Sequence, residues 1–433
     1  MSPTDAFDQT SQLPRPRHRE GRSLSMDEAM ALIPDGSRVY LPPLMGPPTA
    51  LLEAMAAQHD RWTDIETTCD YLAEPLAVFD YPNAPFRHLS VQPSRVLEPM
   101  AAAGALRVVS GCSSQFGGFY GPGGPLAVDV VLVQVSPPGS DGRFSLGTNG
   151  GTTPELVRSA PLVIAEINPA MPYTRGVVEC HRSDFDALVE VESHPLIELP
   201  IAPRSDTTDK IGAYVASLVI DGASIEYGIG AIPDAALAAL VGHTDLGLHS
   251  GMLGDAVIDL VEAGIMNGAA KSVDAGFLVT SALVGTKRVA DWANGRDDLV
   301  IVASNYSHGV PALSRQDRFT AINSAVEVAF DGSINAEVAG GRVVSGPGGQ
   351  PDFAAAAAIA ADGVSIVALP ATARRGEQSR IVPAIDSTHL VTVPHYLADR
   401  IVTEFGIAEL KGVDGPERAS RLRAIADPRL VPH

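Results

Sequence analysis

Short β-branched runs alternate with alanine- and leucine-rich stretches along the whole chain, and this alternation most limits the folds open to it. A strand buried on both faces reads as an unbroken apolar run, with a helix crossing back over the sheet after it. Val130–Val135 (VVLVQV) is such a run, closed after Ser136 by Pro137-Pro138-Gly139. Leu162–Ile167 is a second, ending at Asn168-Pro169. Ala235–Leu240 reads as helix, opened by Pro233-Asp234 with the proline early and an acid in the first turn. Asp255–Ala263 places apolar residues at helical spacing and stops at Gly264. The pattern predicts an α/β protein on mainly parallel sheets.

With 433 residues the chain exceeds what one core usually serves, so two domains are expected. A boundary is predicted at residues 195–208, where prolines are frequent and helical periodicity is lost. Two similar openings flank it. Asp35-Gly36-Ser37-Arg38-Val39-Tyr40 leads into a Pro/Gly loop, and Asp221-Gly222-Ala223-Ser224-Ile225-Glu226-Tyr227 leads into Gly228-Ile229-Gly230. Each reads as turn, strand and loop before a helix, which fits two related halves as well as chance similarity. The expected division is a disordered leader over 1–24, an N-terminal α/β domain over 25–200 and a C-terminal α/β domain over 208–433.

The net charge of −20 excludes a global basic footprint for nucleic acid, though not a local grip on an anion. Cys69, Cys112 and Cys180 form no CxxC pair, which predicts reduced thiols and a cytoplasmic protein. The leader has no apolar segment of the signal-peptide kind. Apolar runs such as Ala354–Ala361 fall far short of the roughly 20 residues a bilayer requires, so no membrane role is expected. No HxH, HExxH or Cys/His cluster is present, and no metal site is predicted.

Two glycine loops stand out. Gly228-Ile229-Gly230-Ala231-Ile232-Pro233-Asp234 follows a predicted strand and opens a predicted helix, where backbone N–H groups can meet an anion. It lacks the third glycine of a dinucleotide fingerprint, and a plain tight turn is the competing reading. Gly346-Pro347-Gly348-Gly349-Gln350-Pro351-Asp352-Phe353 is the second, able to turn N–H groups toward an oxyanion or simply to turn the chain. Glu327, in Ile322–Val328, reads as a base or as a network carboxylate. Asn305-Tyr306-Ser307-His308-Gly309 is a polar loop that either touches a ligand or turns at the surface. Arg374-Arg375 beside Gly376 is a phosphate candidate, whereas Arg342 and Lys287 read as solvated charges.

In chain order, Val135-Ser136-Pro137-Pro138, Glu166-Ile167-Asn168-Pro169-Ala170-Met171-Pro172, GIGAIPDA at 228–235, INSAVEV at 322–328, GPGGQPDF at 346–353, ALPATA at 368–373 and IVTEFGIAELKG at 401–412 complete a set. Together these segments closely resemble the acetyl-CoA hydrolase/CoA-transferase family over roughly residues 125–412. The resemblance implies two related open-sheet α/β domains meeting at an active-site cleft, and an enzyme acting on acyl-CoA. Its substrates would be a CoA thioester and, for transfer, a carboxylic acid. A homo-oligomer without a tightly bound cofactor is implied as well. By the resemblance, Gly228, Ile229, Gly230, Ala231 and Ile232 would lie along CoA, and Ser345, Gly348, Gly349 and Gln350 would line the thioester.

The family's covalent mechanism uses a Glu that takes up the acyl group and then CoA. That Glu follows a Gly-(Ile/Leu/Val)-His-(Ser/Thr) segment. Here the segment reads Gly247-Leu248-His249-Ser250, and the next residue is Gly251. The nearest following carboxylate, Asp255, starts a helix. Glycine cannot form an anhydride, so water is the favoured acceptor, with His249, Glu327 and Glu337 as candidate bases. A transferase using another carboxylate, a hydrolase of a carbon–carbon bond in a CoA-linked ring ketone, and a non-catalytic CoA-thioester-binding protein are the alternatives.

Overall fold

In the computed structural model, which describes residues 13–80 and 85–431, the chain changes unit three times. Residues up to Pro200 join the segment Thr280–Asn305 in one unit, and Ile201–Val279 joins the residues from Tyr306 onward in the other. The segment 280–305 thus leaves the stretch expected to be continuous from 208. It does so because its backbone is paired inside the first unit: Leu283 N–H donates to Thr148 O, and Gly150 N–H donates to Ser281 O. Val300 and Ile301 pair with Arg175 and Gly176.

The first unit is built on an entirely parallel sheet. Across it lie Arg22–Ser23, Ala187–Glu190, Leu162–Ile167, Val130–Val135, Arg38–Tyr40, Ile65–Cys69, Phe86–Ser90 and Leu106–Val108. Every residue of Val130–Val135 is buried, the reason its sequence is an unbroken apolar run. Helix Thr49–Ala57 turns Leu51, Leu52 and Met55 into a core shared with Val39, Ile65 and Leu132.

The first twelve residues of the expected leader lie outside the described residues. Its remainder is not disordered. Arg19 is buried, pairs with Asp186 at 2.9 Å and donates to the carbonyls of Val157, Ala160 and Asp184. Arg22 and Ser23 then add an edge strand beside Ala187 and Leu188. The charge run Arg15–Arg22 contains a buried anchor.

In the second unit, Gly406–Glu409 pairs antiparallel with Arg400–Thr403. Parallel strands follow in the order Val364–Ala368, Phe319–Ser324, Ser224–Tyr227 and Gly247–Ser250. Helix Gln350–Ile359 packs Phe353, Ala356 and Ala357 against Phe319 and Ala321. Both openings noticed in the sequence become interior parallel strands, Arg38–Tyr40 and Ser224–Tyr227, each behind a glycine at positive φ, +80° at Gly36 and +71° at Gly222. Among the described residues no helix is long and apolar enough to cross a membrane.

Candidate active site

Parallel strands leave their C-terminal ends along one edge, where the chain must turn into helices and where open α/β sheets place ligands. In the second unit Tyr227, Ser250 and Ser324 end neighbouring strands in this way. After Tyr227 come Gly228, Ile229 and Gly230, then helix Ala231–Ala238. Gly230 adopts φ +125°, which side chains rarely tolerate, and nothing lies within 4 Å of where its Cβ would stand. Ile229 is exposed, an apolar residue in an open glycine loop. Gly228 approaches Asn323, whose Oδ1 stands 3.2 Å from the position of a Cβ on it. Asn323 Nδ2 donates to Glu226 Oε2 at 2.7 Å, and burial pushes the Glu226 carboxyl well above its ordinary range.

The Gly247–Ser250 strand is buried throughout. Its His249 is fully enclosed and engaged at both ring nitrogens. Gln316 Nε2 donates to Nδ1 at 3.1 Å, and Nε2 donates to Tyr306 O at 3.2 Å, the tautomer this pair requires. Burial pushes the imidazole down to about 3, with the Lys271 ammonium acting in the same direction. Lys271 is itself buried and donates to Leu248 O and Phe277 O, both at 2.9 Å. His249 therefore has no nitrogen left to receive a proton from water. It fastens the strand to the Tyr306 backbone.

At the end of that strand stands Gly251, and the nearest side-chain atoms are those of an aromatic pair. A Cβ on Gly251 would lie 2.6 Å from His308 Nε2, 3.0 Å from His308 Cε1 and 3.5 Å from Phe353 Cζ. A Cβ on Gly349 would meet the same two rings, 2.4 Å from His308 Cδ2 and 2.4 Å from Phe353 Cε2. The rings pack with centroids 4.9 Å apart at 35°. Two glycines far apart in the chain thus make room for one imidazole. His308 Nδ1 is 2.8 Å from Ser307 Oγ, and burial pushes the ring down to about 4.

The second glycine loop turns through Gly348 at φ +56° into helix Gln350–Ile359. Ser345, half-buried, donates its hydroxyl to Gly346 O. Gln350 is buried, and its Nε2 has no hydrogen-bond partner among the described residues, a donor desolvated without compensation.

Glu327 and Glu337 are brought together, but around Asn335. Asn335 Nδ2 donates to Glu327 Oε1 at 3.0 Å, while its Oδ1 accepts from Glu337 N–H. Glu327 Oε1 also lies 2.6 Å from His389 Nδ1. Thr392 donates to Glu337 Oε1 at 2.9 Å, and burial raises the Glu337 carboxyl. None of the three candidate bases supplies one of the three atoms nearest the position of a Cβ on Gly251, which belong to His308 and Phe353. Arg374 and Arg375 are exposed, both at positive φ, while Lys287 pairs with Asp291.

Sequence reasoning left His308 in a loop that either touches a ligand or turns at the surface, and passed over Gln316 and Lys271. A solitary histidine between Ser307 and Gly309 has no periodic context. Only the two glycines it fills, Gly251 and Gly349, were visible signals.

The acetyl-CoA hydrolase/transferase N-terminal domain matches residues 9–197 and the corresponding C-terminal domain matches residues 285–432. A 4-hydroxybutyrate coenzyme A transferase of Clostridium kluyveri is 41% identical over 305 residues, which are 70% of this chain and 71% of that protein. The crystal structure of RipA from Yersinia pestis is similar with a TM-score of 0.87 at 28% identity, covering 94% of each chain. A 4-hydroxybutyrate CoA-transferase from Porphyromonas gingivalis gives 0.80 at 30% identity over 95% of each. The chain belongs to the acetyl-CoA hydrolase/transferase family, and with it to the enzymes that hydrolyse or transfer the acyl group of a CoA thioester.

Proposed function

We propose that this enzyme hydrolyses an acyl-CoA, with water rather than a second carboxylic acid as acyl acceptor. One observation carries the reading: position 251 has no side chain, and the nearest atoms around its missing Cβ belong to His308 and Phe353, not to a carboxylate. Glu327 is bonded to Asn335 and His389, and Glu337 to Thr392, which holds both away from the role of a substitute nucleophile. Without an enzyme carboxylate there is no anhydride and no enzyme-bound thioester to hand CoA to a second acid.

In this reading CoA lies along Gly228–Ile232, with Ile229 against its apolar arm and the N-terminus of helix Ala231–Ala238 toward negative charge. The thioester meets Ser345, Gly348, Gly349 and Gln350. The uncompensated Gln350 amide supports an oxyanion-donor role, a contribution of around 3 kcal/mol in other enzymes. The enzyme needs no tightly bound cofactor and works as a cytoplasmic homo-oligomer, an assembly that light scattering after gel filtration reads. Two of the three cysteines, Cys69 and Cys180, are buried as thiols, which fits a reducing compartment.

The test is a product assay with a panel of acyl-CoAs, with and without acetate or succinate. Free CoA released at a rate independent of the added acid is expected. A new acyl-CoA formed only when the acid is present overturns the reading.

A further inference from the structure

We infer that His308 is the catalytic base of this site, its imidazole occupying the place into which a side chain on residue 251 would project. The inference rests on the hydrolytic reading and deepens it by assigning the group that activates water. His308 Nε2, rather than a ring carbon, is the atom nearest the missing Cβ of Gly251, at 2.6 Å, so the ring directs a nitrogen to the end of the Gly247–Ser250 strand. The position is built. Phe353 supports one face, Ser307 Oγ holds Nδ1 at 2.8 Å, and Gly349 as well as Gly251 is free of the Cβ that would exclude the ring.

The base acts in the tautomer whose Nδ1–H donates to Ser307 Oγ, which leaves the Nε2 lone pair facing Gly251. Nε2 takes a proton from water as the water oxygen forms a bond to the thioester carbonyl carbon. The tetrahedral oxyanion then collapses, the carbon–sulfur bond breaks, and the departing sulfur receives the proton from the imidazolium. One water and one acyl-CoA give one carboxylic acid and one free CoA, and His308 returns neutral. Its low proton affinity in this enclosure keeps it neutral in the resting enzyme at physiological pH. The neighbouring ionisable ring, His249, is neutral as well and fastened to Gln316 and Tyr306.

The experiment measures free-CoA release by wild type, His308→Ala, His308→Gln and the double variant Gly251→Glu/His308→Gly, each with and without added carboxylic acid, with thermal melts to confirm folding. Removal of a general base costs on the order of 100- to 10,000-fold. A loss of about that size is expected in both single variants, and added imidazole should restore part of it in His308→Ala, whose vacated space fits the ring. In the double variant the freed space admits a carboxylate, and formation of new acyl-CoA should become dependent on the added acid. Hydrolysis by folded His308→Ala and His308→Gln within about threefold of wild type overturns the base assignment and leaves hydrolysis intact. A loss that imidazole does not restore, with no acid-dependent transfer by the double variant, overturns it too. Acid-dependent transfer by the wild type itself is the separate result that removes the hydrolytic reading.

Discussion

Replacing Gly251 with alanine adds one methyl group at a half-buried strand end, yet the geometry predicts a large kinetic effect. The new Cβ would start 2.6 Å from His308 Nε2 and 3.0 Å from Cε1, whereas ordinary contact begins at 3.4 Å. The ring must retreat by about 1 Å, away from Gly251 and against the Phe353 ring and the Ser307 hydroxyl that hold it. Misplacement by about 1 Å at a reacting group costs on the order of 100-fold. At about 1.36 kcal/mol per decade this is about 2.7 kcal/mol of transition-state stabilisation. The decrease should fall on kcat, because in the proposed reading CoA lies along Gly228–Ile232 and residue 251 makes no contact with it. The assay is steady-state release of free CoA followed with a thiol reagent, alongside a thermal melt to show that the fold tolerates the methyl group. A folded Gly251→Ala enzyme with kcat within about twofold of wild type would refute the reasoning, since the ring would then not need its present place.

The remaining predictions concern the groups around the two sheets. Asp70 is buried with one carboxylate oxygen unpartnered among the described residues, and burial pushes it up to about 7, so the folded state holds its proton where the unfolded chain, near 3.8, has lost it. Stability from this group is complete below pH 3.8 and is lost as pH rises toward 7. Asp70→Asn should therefore match wild type near pH 4 and gain up to about 4 kcal/mol above pH 7, as the roughly three pH units between these values imply; urea unfolding across that range checks it. Arg19→Ala strands three carbonyls and Asp186, and should cost about 3 kcal/mol in the same assay. His249→Asn breaks the bond from Gln316 or the bond to the Tyr306 carbonyl and should lower stability by about 2 kcal/mol. Added imidazole should not raise the rate of folded His249→Asn, in contrast to His308→Ala.

Much of the fold was legible because the strands of a two-sided parallel sheet carry their burial in their composition. Val130–Val135 and Leu162–Ile167 could hardly be anything else, and Gly264 at φ +74° ends its helix where the sequence placed the stop. Arg19 was misread because its carbonyl acceptors lie 138 to 165 residues along the chain, beyond any local pattern. The segment 280–305 was assigned to the wrong side of a simple division for the same reason, its partners at Thr148 and Arg175 being distant in sequence. At the site, the glycine at 251 was visible as an anomaly, but what fills the space beside it was not. The candidate bases were chosen for their chemistry. The structure then spends His249 on Gln316 and Tyr306, and Glu327 and Glu337 on the cluster around Asn335.

The central claim, that water and not an enzyme carboxylate attacks the thioester, is tested most directly by a single turnover in water enriched in oxygen-18. With enzyme in excess over acyl-CoA, direct attack by water puts one solvent oxygen into the released acid and none into the protein, as mass spectrometry of acid and peptides would show. Heavy oxygen in a Glu- or Asp-containing peptide, or a first-turnover acid without solvent oxygen, would contradict it and return a carboxylate to the centre of the mechanism.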